Sequence, residues 1–478
     1  MKGHAKIELI EVATGKKKVV EHDNMLTKAI SEYVKPIALT GYTPLLDCKT
    51  KGQFNVLFGG LFLFDGAIEE NADITYPPKG VHCTGRGSNI SYGGEDTNLG
   101  SFNSNESGFD ENGNYKMVWD FNTSQANGTI AALSLTSLLG GRSGLGSPVY
   151  DSAINSSTAQ TLYSTDYGFY QKVKDATISD KIAFAIGDCL YFLLFYNVYY
   201  SSSEADLYMK NSGTLSFLKV KMPVDNIVFG NNKSNEPMRY ERVDISIPSK
   251  IMNQITDNNG IIGGICLDGR YMYVMLTTAH KYIAKNEEIN LLKIDTQNNF
   301  SAECVSFINT TNEVLFRSYL SSNNTIPDYG GEWFVADGYY ICINQDRDKL
   351  YRIKIADSTD VAAIDMSLAK GWDKNTQKRF VGKITDAHVL LKNYGNSYII
   401  DLDEWTCKCS QFNSFGTDYL TTVTADKSKF IISMRSGYTP MLVIVQNPFY
   451  LATINNLSEP VTKTSAHTMK VTYTLSEG

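Results

Sequence analysis

The sequence predicts a mainly β protein: a β-propeller-like central domain joined to a β-rich domain that the N- and C-terminal segments build together. Three observations predict it. The chain holds 29 Tyr, 22 Phe and 37 Gly against 12 Pro, and aromatic side chains suit a pleated surface while glycine suits tight turns. Between residues 180 and 450, an apolar strand repeatedly enters an Asp-Gly or Gly-Asp turn and an aromatic-apolar strand leaves it. Both ends of the chain alternate polar and apolar residues, the period of a half-buried strand.

At roughly 150 residues per domain, 478 residues amount to about three domains' worth of chain. We divide it into a β-rich domain at 1–140, a linker at 141–160, a propeller-like domain at 161–447, and strands at 448–478 that return to the first domain. Charged residues are 20% and hydrophobic residues 42%, which excludes an intrinsically disordered chain. The net charge of -7 lacks the basic excess that binding a phosphate backbone requires, so nucleic acid is not expected as a partner. The most apolar stretch, 182–198, is broken by Gly187 and Asp188 and falls short of the roughly 20 residues of a membrane span, so no membrane insertion is expected. The alternating start shows no secretory signal. Eight scattered cysteines, three of them inside apolar strand-like runs, fit synthesis in a reducing compartment.

Residues 6–22 read as a hairpin turning at 13–16. A short helix is expected next, capped by Asp23 or Asn24, with Met25, Ala29, Ile30 and Tyr33 on one face until Pro36. The run GGLFLFD at 59–65 reads as a buried strand behind a glycine turn, and 84–114 as a loop region. MVWDF (117–121) and GTIAALSLT (128–136) are expected to pair with each other. The glycines of 140–146 lack the lysine and hydroxyl residue of a phosphate cradle and read as a connection.

The recurring units are AIGDCLYF (185–192) with LSFLKV (215–220), CLDGRYMYV (266–274) with LLKID (291–295), and VADGYYI (335–341) with LYRIKI (350–355). VLLKNYGNSYIIDL (389–402) and VTADKSKFII (423–432) with MLVIV (441–445) complete the set. The turn residues Asp188, Asp268, Asp337 and Asp426 stand 80, 69 and 89 apart. Such spacing needs units of unequal length. It fits an irregular propeller, with each interval one long or two short blades of roughly 40 to 50 residues, better than a single large sandwich of hairpins.

The strings EHDNMLTKA (21–29), GGLFLFD (59–65), NLGS (98–101), TSQANGTI (123–130) and LTS (135–137), with LATINNLSEPVTKT (451–464) and MKVTYTL (469–475), resemble tail-fibre and receptor-binding structural proteins of tailed bacteriophages infecting gut Firmicutes. The resemblance covers 1–140 and 448–478; the middle is similar only as a propeller-like pattern. It implies a non-enzymatic protein of the virion tail, made in the host bacterial cytoplasm, anchored by its ends and touching host cell-surface polysaccharide through its middle. It implies other tail or baseplate proteins as partners, and a homo-oligomer for which the apolar run 61–64 could serve as interface or core. A purely structural tail, baseplate or neck component, and a virion-associated polysaccharide depolymerase, are the alternatives.

No catalytic motif is present. The six histidines form no zinc-binding pattern, CKC at 407–409 has no second pair nearby, and no serine sits in a nucleophile elbow; no metal, cofactor or catalytic residue is assigned. Glycan cleavage would start from Asp328, Glu332 and Asp337 around YGGEW (329–333), since it needs paired carboxylates about 5 to 10 Å apart. The repeated aspartates are explained by turn geometry, because Asp tolerates positive φ. For glycan binding, aromatic faces pack on sugar C–H groups, and the candidates are Tyr196, Tyr199, Tyr200, Tyr329, Trp333, Trp372 and Tyr438.

Overall fold

The alternation at the two chain ends becomes pairing between them. In the computed structural model, which describes residues 2–29, 58–94, 96–143, 161–166, 178–194, 213–222, 240–256, 261–277, 282–316, 331–376, 378–393, 396–410, 420–436 and 439–476, Lys2 stands opposite Ser476 and Glu11 opposite His467. The sheet runs in the order Lys17–Asp23, Lys2–Glu11, His467–Ser476, Tyr115–Phe121, Ser101–Phe102. A second sheet runs Met25–Leu26, Thr453–Lys463, Gly128–Thr136, Gly60–Phe64, Cys83–Gly87. Ile7, Trp119, Val471 and Tyr473 of the first sheet share one buried core with Leu61, Ile130 and Leu133 of the second. The terminal domain is therefore a β-sandwich woven from both ends of the chain.

Three sequence expectations change here. Tyr115–Phe121 and Gly128–Thr136 are both strands but lie in opposite sheets, because the turn between them crosses the sandwich. Ala126 at φ 50 and the buried Gln125, whose amide donates to Leu99 O at 2.6 Å, hold that corner. Met25 pairs with Ile454 in a strand, and Asn24 accepts from Gly3 N at 2.7 Å and donates to the Tyr473 hydroxyl at 2.6 Å, so the chain stays extended where a helix cap was expected and turns helical only at Lys28 and Ala29. Ile30, Tyr33 and Pro36 lie outside the described residues. The start of the expected linker is helical, over Leu138–Ser143; a Cβ on Gly141 would come within 2.0 Å of Gly87 O, so glycine there serves close packing.

All five residues of Gly60–Phe64 are buried, because the strand has two covered faces. Leu61 and Leu63 enter the sandwich core, while Phe62 and Phe64 pack with Val381, Ile384, Leu390, Val423 and Phe430 of the propeller. The run is thus an intramolecular seam rather than a free surface for a second copy.

The propeller consists of five four-stranded antiparallel sheets among the described residues. Blade 1 is Ile178–Ile186, Cys189–Leu194, Thr214–Lys221 and Tyr240–Ser246. Blade 2 is Ile261–Asp268, Tyr271–Thr277, Glu288–Asp295 and Ser301–Ile308. Blade 3 is Trp333–Ala336, Tyr339–Ile343, Lys349–Lys354 and Val361–Asp365, and blade 4 is Lys378–Lys383, His388–Asn393, Asn396–Asp401 and Thr406–Ser410. Blade 5 takes Leu420–Val423, Lys429–Ser436 and Thr439–Gln446 from the end of the chain and its outermost strand, Thr161–Asp166, from before blade 1.

First strands of successive blades touch in cyclic order, with blade 5 meeting blade 1, where Ala425 N donates to Ala185 O at 3.1 Å. The ring is closed by main-chain pairing between the two ends of the inserted segment, which leaves no open seam between first and last blade. The turn of blade 4 went unread in the sequence, since Asp386 lies in an Ile-Thr-Asp-Ala turn without glycine. It divides the interval of 89 between Asp337 and Asp426 into 49 and 40, two short blades; the unit at 389–402 is the second and third strands of that blade.

Candidate functional site

A propeller brings the turn after the first strand of every blade to one end of its axis. Here those turns carry Asp188, Asp268, Asp337, Asp386 and Asp426. Turn chemistry explains less of this than expected: Asp337 has φ 55 and Gly338 φ 78, the left-handed pair of a tight hairpin, but at the other expected turns the positive φ falls on the residue beside the aspartate, Gly187, Gly269 and Lys427. The rest is electrostatic. Lys383, the last residue of the first strand of blade 4, places Nζ 2.7 Å from Asp268 Oδ1 and 2.8 Å from Asp337 Oδ1. Asp337 N donates to Asp268 Oδ2 at 2.8 Å, Lys79 of the terminal domain bonds Asp337 Oδ2, and Lys427 reaches Asp386 Oδ1 at 2.7 Å.

Burial opposes charge at Lys383, yet the carboxylates of Asp268 and Asp337 outweigh it and hold the lysine pKa above its ordinary value. Burial likewise opposes ionisation of Asp337, and the hydrogen bonds from Lys383 and Lys79 override it, so this carboxyl is held low. Beneath these groups lies an axial cavity of about 90 Å³, lined by Phe184, Cys266, Trp333, Phe380 and Val423, one from each blade. Cys266 Sγ accepts from Val335 N at 3.3 Å, and burial pushes its thiol pKa up, which keeps it protonated.

Chemically the site is a neutralised network. Asp268, Asp337 and Asp386 each face a lysine. Among the described residues no group of three or more His, Cys, Asp or Glu is placed to hold a metal ion. The sequence missed Lys79, Lys383, Asp386 and Lys427. An aspartate at the same turn in successive units was the available signal, since cyclic repetition makes such residues converge on the axis.

Of the suggested carboxylates, Glu332 and Asp337 do not form a pair. Glu332 and Asp337 flank the first strand of blade 3 at opposite ends, about 17 Å apart at 3.3 Å per residue, too far for glycoside hydrolysis. Glu332 is fully buried and accepts from Arg347 Nε at 3.0 Å and Lys378 N at 3.1 Å; burial raises its pKa. Asp328 lies outside the described residues. Trp333 is not a surface platform: it is 1% exposed, stacks on Tyr340 with ring centroids 5.7 Å apart, and forms part of the axial wall. Trp372 is half-buried; its Nε1 donates to Arg347 O at 2.7 Å, Lys378 Nζ sits 4.7 Å over its ring, and Tyr398 meets it edge-on. Tyr196, Tyr199, Tyr200, Tyr329 and Tyr438 lie outside the described residues. Cys407 and Cys409 are free thiols.

The terminal domain holds the axial-turn face. Gly80 N donates to Asp403 Oδ2 at 2.8 Å, and Asn447, where the chain leaves blade 5, donates to Ile384 O at 2.8 Å and Lys427 O at 2.7 Å. The antiparallel order sends the connections between second and third strands, and from each fourth strand to the next blade, to the opposite face.

Among the described residues, the fold and site thus define a propeller of five blades inserted into a β-sandwich. The sequence matches no protein family and no curated relative. Solved structures similar to it include AztD of Citrobacter koseri, 9% identical over 62% of this chain and 56% of that one with a TM-score of 0.23. The β-propeller domain of Cps50 (Swd1) from Myceliophteria thermophila is 8% identical over 69% and 79% with a TM-score of 0.23. Trypanosoma rangeli sialidase is 12% identical over 78% and 58% with a TM-score of 0.24. The chain thus spans little more than half of AztD and of the sialidase, and likeness of this size carries nothing about function.

Proposed function

We propose that the protein is a bacteriophage tail-fibre or baseplate-associated structural protein, attached to the virion by its terminal sandwich and contacting host cell-surface glycan through its propeller. The observation that supports this most is the polarity of the propeller: Lys79, Gly80 and Asn447 fix the axial-turn face to the sandwich, so the opposite face points away from the anchor. Leu194 and Thr214, the strand ends flanking Tyr196, Tyr199 and Tyr200 in sequence, belong to that far face. The paired charges at the axis favour a binding role over hydrolysis. Partners on this reading are other tail or baseplate proteins, further copies of the chain, and a host polysaccharide gripped by many weak sites at once.

Purified fluorescent protein incubated with intact host cells and with wall polysaccharide tests the proposal, with released reducing sugar measured in the same tubes. Saturable binding without release is expected. Release of sugar would make the protein a depolymerase, and absence of binding even as an oligomer would leave a purely structural component.

A further inference from the structure

Lys463, at the end of the long strand Thr453–Lys463, is 1% exposed. Its partner is an amide rather than a carboxylate: Nζ donates to Asn127 Oδ1 at 2.9 Å. The amide is held from its other end, since Asn127 Nδ2 donates to Thr123 O at 3.0 Å. Lys463 and Gly128 are register partners across the sheet, so the main chain fixes the approach of the two side chains. Asn127 itself is exposed, and among the described residues no carboxylate pairs with Lys463, so the ammonium lacks the countercharge that ordinarily justifies burying a lysine.

We propose that Lys463 and Asn127 form an intramolecular isopeptide cross-link. Lys463 first loses a proton to water. Its Nζ lone pair attacks Asn127 Cγ, a C–N bond forms, a proton passes from Nζ to the departing nitrogen, and the former Nδ2 leaves as ammonia. Atoms and charge balance without an oxidant or other co-reactant. Burial lowers the Lys463 pKa to about 8, so a substantial neutral fraction is available near neutral pH.

The position gives the bond a purpose. The two residues are 336 apart in sequence, and the whole propeller, Thr161–Asp166 through Thr439–Gln446, lies between them. A bond there closes the chain covalently at the base of the insertion and lets the sandwich carry load with the propeller outside the covalent path. Cross-linking of so long a loop also removes entropy from the unfolded chain.

The test is the intact mass of the denatured protein. We expect a species about 17 Da below the sequence mass, the loss of one ammonia, and a peptide map that joins the segments around Asn127 and Lys463. The fraction cross-linked should grow faster at pH 9 than at pH 6. A protease nick inside the propeller should leave one band on a denaturing gel. Lys463→Arg and Asn127→Ala should each restore the sequence mass and give two bands after nicking. Full sequence mass after prolonged incubation at pH 9, or a gain of about 1 Da from hydrolysis of the amide alone, would overturn the proposal without any variant having to fold.

Discussion

Lys383 illustrates what burial asks of a charged residue. Its side chain is 13% exposed and lies between carboxylates that are 15% and 27% exposed, so removing the cation strands Asp268 in a poorly solvated place and leaves Asp337 with Lys79 alone. Lys383→Met should cost about 3 to 5 kcal/mol in urea unfolding, and adding Asp268→Asn and Asp337→Asn should recover part of it; an unchanged midpoint in the single variant would sink the bridging role. At Asp401, burial works against ionisation, but the hydrogen bonds from His388 and from the amides of Glu404 and Asp403 prevail and draw the pKa from 3.8 to about 2. A depressed carboxyl stabilises above its unfolded pKa, so this contribution is complete above about pH 4 and disappears as pH falls toward 2. Asp401→Asn should therefore lower stability by about 2 kcal/mol at pH 7 and by only about a few tenths of that at pH 2, read from unfolding midpoints at the two pH values. Trp333→Ala should cost about 3 to 5 kcal/mol, read from the thermal unfolding midpoint, and leave the proposed glycan binding of the surviving folded protein unaltered.

Among the elements, Gly60–Phe64 packs against both domains. Its alternate side chains enter two different cores, so sandwich and propeller are expected to unfold together. Phe62→Ala with Phe64→Ala removes only the propeller-facing half, about 3 kcal/mol or more per ring. Calorimetry should then resolve two transitions where the native protein is expected to show one; a single transition in the double variant would mean that the Lys79 ion pair and the Gly80 hydrogen bond suffice for coupling. An all-apolar run announces a buried strand in the sequence, but not that its two faces belong to separate domains, because alternation vanishes when both faces are covered.

For the molecule as a whole, closure depends on Thr161–Asp166 pairing with Thr439–Gln446. Proline cannot donate to a strand ladder, so Ser164→Pro should loosen blade 5 and open the ring. Limited proteolysis should then cut the propeller first and spare the sandwich, whose strands come from outside the insertion. Equal resistance of both domains to protease in this variant would show that the ring holds without its closing strand.

The sequence by itself determined the β class, the strand-turn-strand unit and the turns where aspartate or glycine permits positive φ, since these depend on neighbours a few residues apart. The period of alternation marked the terminal strands for the same reason. Only the tertiary structure decided that Asp386 completes the series of turns, that Lys383 lies between Asp268 and Asp337, that Trp333 faces the axis, and that residues 161–166 close the last blade. Those facts rest on partners tens to hundreds of residues away, and a local pattern carries no trace of which distant strand will supply the opposite charge or the missing hydrogen bonds.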